Sequence, residues 1–435
     1  MNASVRSEAG RVPSWSPAGG ALPWRLGYIA VIALATISQL RVPAGAGEVV
    51  SRVERAFDPS LTGSDAVDAV RNLVLFAGWG VVWVVTAARL RWRTLLRDAL
   101  VTGALLSAGV EAAQLLSPTR NTSVLDVLSN TAGAVAGAIA AIILLGLLVA
   151  LRGRKSFVGV PALLFAAGYG GAAALEAFSP LLRQERYGDA WGAPSERFGI
   201  AFGRLDAATW LDFGLVDVLL FVPAGFFAVA ALVEFGWTYR RSAVVVAIAG
   251  LFASGLLELA RGAVGFVLAY GPILAHGIGI AAGGALAAWA VPHLTRLARG
   301  RVRPLALLIA YAALLLLWAG RPFYLEPSFA AIGDKLTLDR LIPLQAYRER
   351  FDLHTAADAA IPALLFLPVG ALLAVWPLRR SGTLRGLLPA VALAIVAESL
   401  QLVMAARTFD ITDVLIAASA LAVGWVLTRR AGYRA

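Results

Sequence analysis

Three glutamates lie inside otherwise apolar runs: Glu111 in GVEAAQLL (109–116), Glu258 in GLLELARG (255–262) and Glu398 in VAESLQLV (396–403). A carboxylate placed there is costly unless it is partnered. The polar residues around Glu111 keep helical spacing. Gln114 is three positions on and shares its face. Pro118 ends that helix and Arg120 lies in the following turn. Asp126 and Asn130, four apart, share one face of the next helix. Around Glu398, residues Gln401, Arg407 and Asp413 keep the same offsets and Asp410 is added, while Ala405 replaces the proline and Ala417 the asparagine. Around Glu258 the pattern is degraded. Arg261 takes the glutamine position, the turn has no counterpart arginine, and His276 stands where Asn130 would. Three chemistries suit such sets. The first is an ion-paired clamp, with Arg120 beside Asp126 and Arg407 beside Asp413. The second is a polar pocket in which an arginine grips a phosphate bidentately and the acids take amines or sugar hydroxyls. The third is a proton relay. No Ser-His-Asp set, metal-ligand cluster or phosphate loop accompanies these residues, so no catalytic residue and no cofactor are expected. The chain has no cysteine and three histidines (His276, His293, His354), which argues against a metal centre.

The elements that hold these residues must be membrane helices. The 435 residues are 59% hydrophobic and 15% charged, with a mean hydropathy of +0.75. Such values exclude an ordinary cytosolic globular protein and a disordered one. The net charge of +11 would suggest nucleic acid in a soluble chain. Here the arginines fall in short loops between apolar runs, so the charge reads as topology and no nucleic-acid partner is expected. After a polar tail over 1–24, apolar stretches run at roughly 26–40, 68–88, 99–117, 125–151, 157–178, 212–235, 242–261, 264–291, 304–320, 357–377, 386–405 and 410–428, each near the length a span requires. Every second connection is basic: Arg89 to Arg97, Arg152 to Lys155, Arg240 and Arg241, Arg296 to Arg303, Arg379 to Arg385, and Arg429 with Arg430. This alternation predicts both termini in the cytoplasm and a multi-pass protein of the plasma membrane, with lipids as its surroundings. Trp24, Trp83, Trp92, Trp210, Trp289 and Trp318 lie near predicted helix ends, as an interfacial belt would. Three long outer segments, 41–66, 179–210 and 321–356, either cap the bundle or dock on the membrane surface.

A repeat orders the whole chain. NLVLFAGWG (72–80), DVLLFVPAG (217–225) and PALLFLPVG (362–370) align, with Phe76, Phe221 and Phe366 separated by 145 residues each time. Each glutamate run follows, after a basic loop. Gly133 and Gly137, and again Gly279 and Gly283, form the small-residue spacing that lets two helices approach closely. The expected fold is therefore an all-α polytopic integral membrane protein of about twelve transmembrane helices in three four-helix repeats, at 25–152, 157–291 and 304–428. Four spans return the chain to the same side, so the repeats are expected to be parallel and not inverted.

These residues resemble the VanZ-like family, which carries an Asn-Phe-Pro-Gly helix followed by Glu-x-x-Gln, an arginine and an Asp-x-x-x-Asn helix. Asn72 and Phe76 match in the first repeat, although Trp79 departs. Phe221-Val-Pro-Ala-Gly225 and Phe366-Leu-Pro-Val-Gly370 match more closely. The resemblance implies a bacterial cell-envelope setting and an association with low-level teicoplanin resistance. Three copies in one chain depart from the single-copy pattern. Two functions are left open. One is a non-enzymatic envelope protein that binds a lipid-linked or amphipathic glycopeptide ligand at the outer leaflet and contributes to antibiotic tolerance. The other is a proton-coupled exporter or intramembrane enzyme that uses the glutamates.

Overall fold

The computed structural model describes residues 20–36, 47, 50–51, 53, 63–88, 91–116, 123–152, 159–178, 207–263, 270–297, 302–321, 323–345, 353–375, 387–405 and 407–433. Each expected span contains a helix: α1 (Leu22–Thr36), α2 (Gly63–Thr86), α3 (Trp92–Gln114), α4 (Val124–Leu151), α5 (Ala162–Phe178), α6 (Ala207–Glu234), α7 (Tyr239–Ala263), α8 (Tyr270–Leu297) and α9 (Val302–Gly320). Two short helices, α10 (Phe329–Lys335) and α11 (Leu338–Leu341), precede α12 (Leu353–Ala374), α13 (Leu388–Leu400) and α14 (Ile411–Arg430). No strand occurs among the described residues; one isolated antiparallel bridge joins Leu325 to Met404. The long helices α4, α6, α7, α8, α12 and α14 are apolar and long enough to cross a membrane. Shorter apolar helices accompany them. The protein is an all-α polytopic membrane protein.

Several helices start earlier than their apolar runs. α1 begins at Leu22, so Trp24 belongs to the helix and not to the tail. α3 begins at Trp92 and carries Arg93, Arg97 and Asp98 through its first turns, with an exposed Arg97–Asp98 ion pair at 3.0 Å. Backbone hydrogen bonding continues past the apolar stretch because the extra turns set their charges in solvent. Pro272 falls in the first turn of α8, where a missing N–H is harmless. The remainder of the tail, the segment 179–206 and Lys155 lie outside the described residues.

The chain divides into two compact units. The first holds residues 1–152, 344–356 and 426–432, the second 153–343, 357–425 and 433–435. In the first unit α2 lies against α4 at backbone contact. A methyl group on Gly133 would overlap the Leu73 carbonyl, and one on Gly137 the Ala77 carbonyl. Gly80 faces the Ala134 backbone in return. Phe76 is fully buried there with Ile32, Trp79, Val110 and Ala134. In the second unit Gly279 and Gly283 meet the Val218 and Val222 carbonyls in the same way, and Gly225 meets Ile280. Between α12 and α14 of that unit, Gly424 meets the Leu367 carbonyl and Gly370 meets Leu421. Ala77, Val222 and Leu367 each follow the aligned phenylalanine by one residue, so one helix contact recurs three times. A second contact recurs twice. The Tyr28 hydroxyl donates to the Leu75 carbonyl at 2.8 Å, and the Tyr311 hydroxyl to the Leu365 carbonyl at 3.0 Å.

The basic ends are less solvated than their charge suggests. Arg430 is buried in the first unit and donates to the Val84 and Ala87 carbonyls at the C-terminal end of α2. A cation is favoured at that end of a helix, where the last carbonyls have no intrahelical partner. Arg152 donates to the Ala431 carbonyl at 3.3 Å, and Arg25 lies over the Trp83 ring. Of the tryptophans expected in an aromatic belt, Trp92 and Trp289 are exposed. Trp318 is buried and meets Tyr169 edge to face, so it belongs to the interior.

Candidate functional site

Glu111 and Glu398 occupy the same local geometry. Each is buried on the last turns of its helix. Glu111 Oε2 accepts the backbone N–H of Ser123 at 3.3 Å, and Glu398 Oε1 accepts that of Asp410 at 2.9 Å. Both amides lie twelve positions after their glutamate. Ser123 caps α4 by taking the Leu125 N–H on its hydroxyl at 3.1 Å. Asp410 takes the Thr412 N–H at 2.8 Å at the start of α14. A carboxylate at a helix N-terminus gains from the exposed N–H groups. The glutamate thus ties the end of one helix to the start of the next and closes the hairpin from inside.

The remaining polar residues of the first hairpin are also engaged. Asn72 donates to Asp126 Oδ1 at 2.6 Å, and Asn130 donates to the Ser107 hydroxyl at 2.9 Å. Gln114 reaches the Thr36 carbonyl at 3.3 Å, and buried Arg71 the Ala35 carbonyl at 3.2 Å. These two bonds satisfy carbonyls at the end of α1. Pro118 and Arg120 lie outside the described residues. In the middle segment Glu258 and His276 are both buried, and the His276 ring stacks on Phe221 with centroids 4.1 Å apart. Arg261 falls within α7.

The second unit assembles a denser group at the corresponding helix ends. Gln401 donates to Glu398 Oε2 at 2.7 Å. Arg407 does not pair with Glu398. Its Nε donates to the Arg321 carbonyl at 3.1 Å, and its Nη2 lies 3.4 Å from Glu176 Oε1. Glu398 is filled instead by Gln401 and a backbone amide. Arg321 Nη2 lies 3.4 Å from the same Glu176 oxygen. Arg340 Nη1 approaches Asp410 Oδ2 at 3.5 Å. Lys335 donates to the Leu402 and Met404 carbonyls at 3.3 and 2.6 Å, capping the turn after α13. The segment 323–343 is held there by the Glu326 N–H on the Val403 carbonyl and the Ala405 N–H on the Tyr324 carbonyl, both at 2.8 Å. It caps this hairpin. Asp413 lies in the first turn of α14.

Two hairpins closed by the same glutamate contact, twelve residues from acceptor to donor, mark two copies of one unit. The family model described as VanZ/LLP1 matches residues 24–148 and again 307–432, more than half of the chain. The chain belongs to the VanZ/LLP1 family. The two VanZ/LLP1 matches are tandem copies, and they coincide with the two clamped hairpins. The chain is a membrane protein of a family linked to glycopeptide resistance. No curated protein matches it. No solved structure matches it.

Sequence reading overlooked Ser107 and Ser123 at the first VanZ/LLP1 hairpin and Glu176, Arg321, Lys335 and Arg340 at the second. Glu176 had a visible signal, as the single acid near the end of an apolar helix. Arg321, just past α9, had none beyond its charge.

Proposed function

We propose that this VanZ/LLP1 chain is a non-enzymatic envelope protein of the bacterial plasma membrane. Both termini lie in the cytoplasm, and the glutamate ends of the hairpins face outward. A polar site there binds a lipid-linked or amphipathic glycopeptide ligand and contributes to glycopeptide tolerance. Residues 157–291 form a degenerate third copy, a reading supported by the recurring Gly283–Val222 contact.

One observation carries this reading. The carboxylates of Glu111 and Glu398 are taken up by backbone amides, whereas Arg407 and Arg340 are half-exposed at the rim. The glutamate of each hairpin then acts as the frame of a site of its own, with Gln114, Asp126 and Asn130 in the first unit and with Gln401 and Asp413 in the second. In the second unit Arg407 faces the ligand, with Asp410 holding Arg340 at the same hairpin; Arg120 is given the same role in the first hairpin by its matching sequence offset. A proton relay would need its glutamates open to exchange, and these are held by structural bonds.

The test is expression in a susceptible bacterial host with teicoplanin susceptibility as readout. The native chain is expected to raise tolerance. Arg407→Gln is expected to lose that gain while the purified variant keeps its helical content and unfolding temperature. Absence of any gain from the native chain, or full tolerance from a folded Arg407→Gln variant, overturns the proposal.

A further inference from the structure

Two guanidinium groups converge on one carboxylate oxygen. Arg321, at the end of α9, and Arg407, in the turn before α14, each set Nη2 3.4 Å from Glu176 Oε1. The arrangement is rigid. Arg321 stacks on the Trp318 ring, 4.2 Å from its centroid, and donates Nε to the Trp318 carbonyl at 3.3 Å. Arg407 donates Nε to the Arg321 carbonyl at 3.1 Å. The side chains are 12%, 30% and 24% exposed for Arg321, Arg407 and Glu176, so the group is sheltered yet reachable.

The donors outnumber the acceptors. A guanidinium carries five N–H donors and no acceptor. Each of these two spends Nε on a carbonyl; Arg407 Nη2 donates to the shared oxygen, whereas buried Arg321 Nη2, 3.4 Å from that oxygen, has no hydrogen-bond acceptor. Neither Nη1 has a protein partner among the described residues. Burial pushes the Arg321 guanidinium below its ordinary range, Glu176 draws it back up, and Arg407 presses it down again; Tyr169 and Asp217 raise it. Glu176 is the carboxylate in contact with both cations, which repel each other, while Asp217 acts on Arg321 and Glu398 on Arg407 through their charge.

We propose that Arg321 and Arg407 form an anion site for a phosphate ester or pyrophosphate group, with Glu176 as the internal anion that the ligand displaces. A phosphoryl group has the negative charge and the several acceptor oxygens that two planar forks require, whereas one carboxylate has two. The stacked and hydrogen-bonded arginines are preorganised, so little side-chain entropy is lost on binding. The group sits where the helices end, level with the carbonyl-capped turn after α13. It therefore suits a phosphate at the headgroup level of a bilayer, or the free anion. This inference rests on the proposed envelope role only for its biological meaning; the site stands on its own geometry.

The test uses the full-length chain purified in detergent, with inorganic pyrophosphate as soluble probe. Saturable thermal stabilisation is expected for the native chain. Glu176→Gln removes the competing carboxylate and is expected to bind about tenfold more tightly and to gain more stability from the anion than the native chain does. Arg407→Lys and Arg321→Lys keep the charge but lose the fork, and each is expected to weaken binding about tenfold. A parallel arm uses nanodiscs of phosphatidylcholine with or without phosphatidate. Stabilisation by phosphatidate alone assigns a lipid headgroup, by pyrophosphate alone a free anion, and by both the shared chemistry; each supports the site. No saturable effect of either probe overturns it. So does binding that Glu176→Gln leaves unchanged, or that survives both lysine substitutions. A chain that binds pyrophosphate but confers no teicoplanin tolerance keeps this site and loses the envelope role. Tolerance without binding gives the converse.

Discussion

Glu398 has two hydrogen-bonded partners, Gln401 and the Asp410 amide, and these define what its removal does. Glu398→Ala leaves the Asp410 N–H buried without an acceptor and is expected to cost about 1–3 kcal/mol. Glu398→Gln keeps a carbonyl oxygen for that amide, so its cost should be smaller, with Gln401 turning its own amide to match. Thermal unfolding in detergent separates the two. The same order is expected for Glu111→Ala and Glu111→Gln at the Ser123 amide. A proton-carrying role predicts instead that Gln and Ala are equally damaging to function while Gln is nearly silent in stability. Arg430 is a second residue whose type matters. Its guanidinium bridges the Val84 and Ala87 carbonyls from a buried position. Arg430→Met keeps much of the volume but abandons both carbonyls, and a lowered unfolding temperature is the expected result.

Glycine contacts decide how closely the helices approach. Gly137, Gly283 and Gly424 each press on a carbonyl one residue beyond an aligned phenylalanine, and a Cβ at any of them would overlap backbone that cannot move aside. Alanine at each position is expected to cost about 1–3 kcal/mol through overpacking. Gly146 lies within α4 with open space around it, so Gly146→Ala should be neutral or slightly stabilising. Unfolding temperatures of the four variants check this. An equal penalty at Gly283 supports reading 157–291 as a third copy of the element, since the same aligned contact would then be strained. A silent Gly283→Ala would count against it.

At the scale of the molecule the open quantity is orientation. The chain lacks cysteine, so single introduced thiols report it cleanly. Leu95 is buried and would be shielded on either side of a membrane. Exposed Arg93 is the better probe of the basic loops, and Phe329, 96% exposed, that of the segment after α9. With the basic loops cytoplasmic, Arg93→Cys is expected to react with an impermeant maleimide only after permeabilisation. Phe329→Cys is expected to react in intact cells. Labelling of residue 93 in intact cells would reverse the assignment of every hairpin end.

Much of this protein is legible along the chain because membrane helices are written in local terms. Hydrophobic runs of span length and glycine spacing determine helices and their order, and the recurrence of the Phe76 motif at Phe366 marks the two tandem copies, since each depends on residues near in sequence or at one fixed period. Burial of all three glutamates follows for the same reason. Partners do not follow. That Arg407 reaches Glu176, 231 residues back, depends on which helix ends meet in the second unit. Glu398 is satisfied by a main-chain amide, a donor every residue but proline carries and that sequence therefore does not distinguish. Arg430 and Trp318 look like surface residues by type and are buried by packing. Local chemistry sets what each helix must hide; tertiary packing alone decides what it is hidden against.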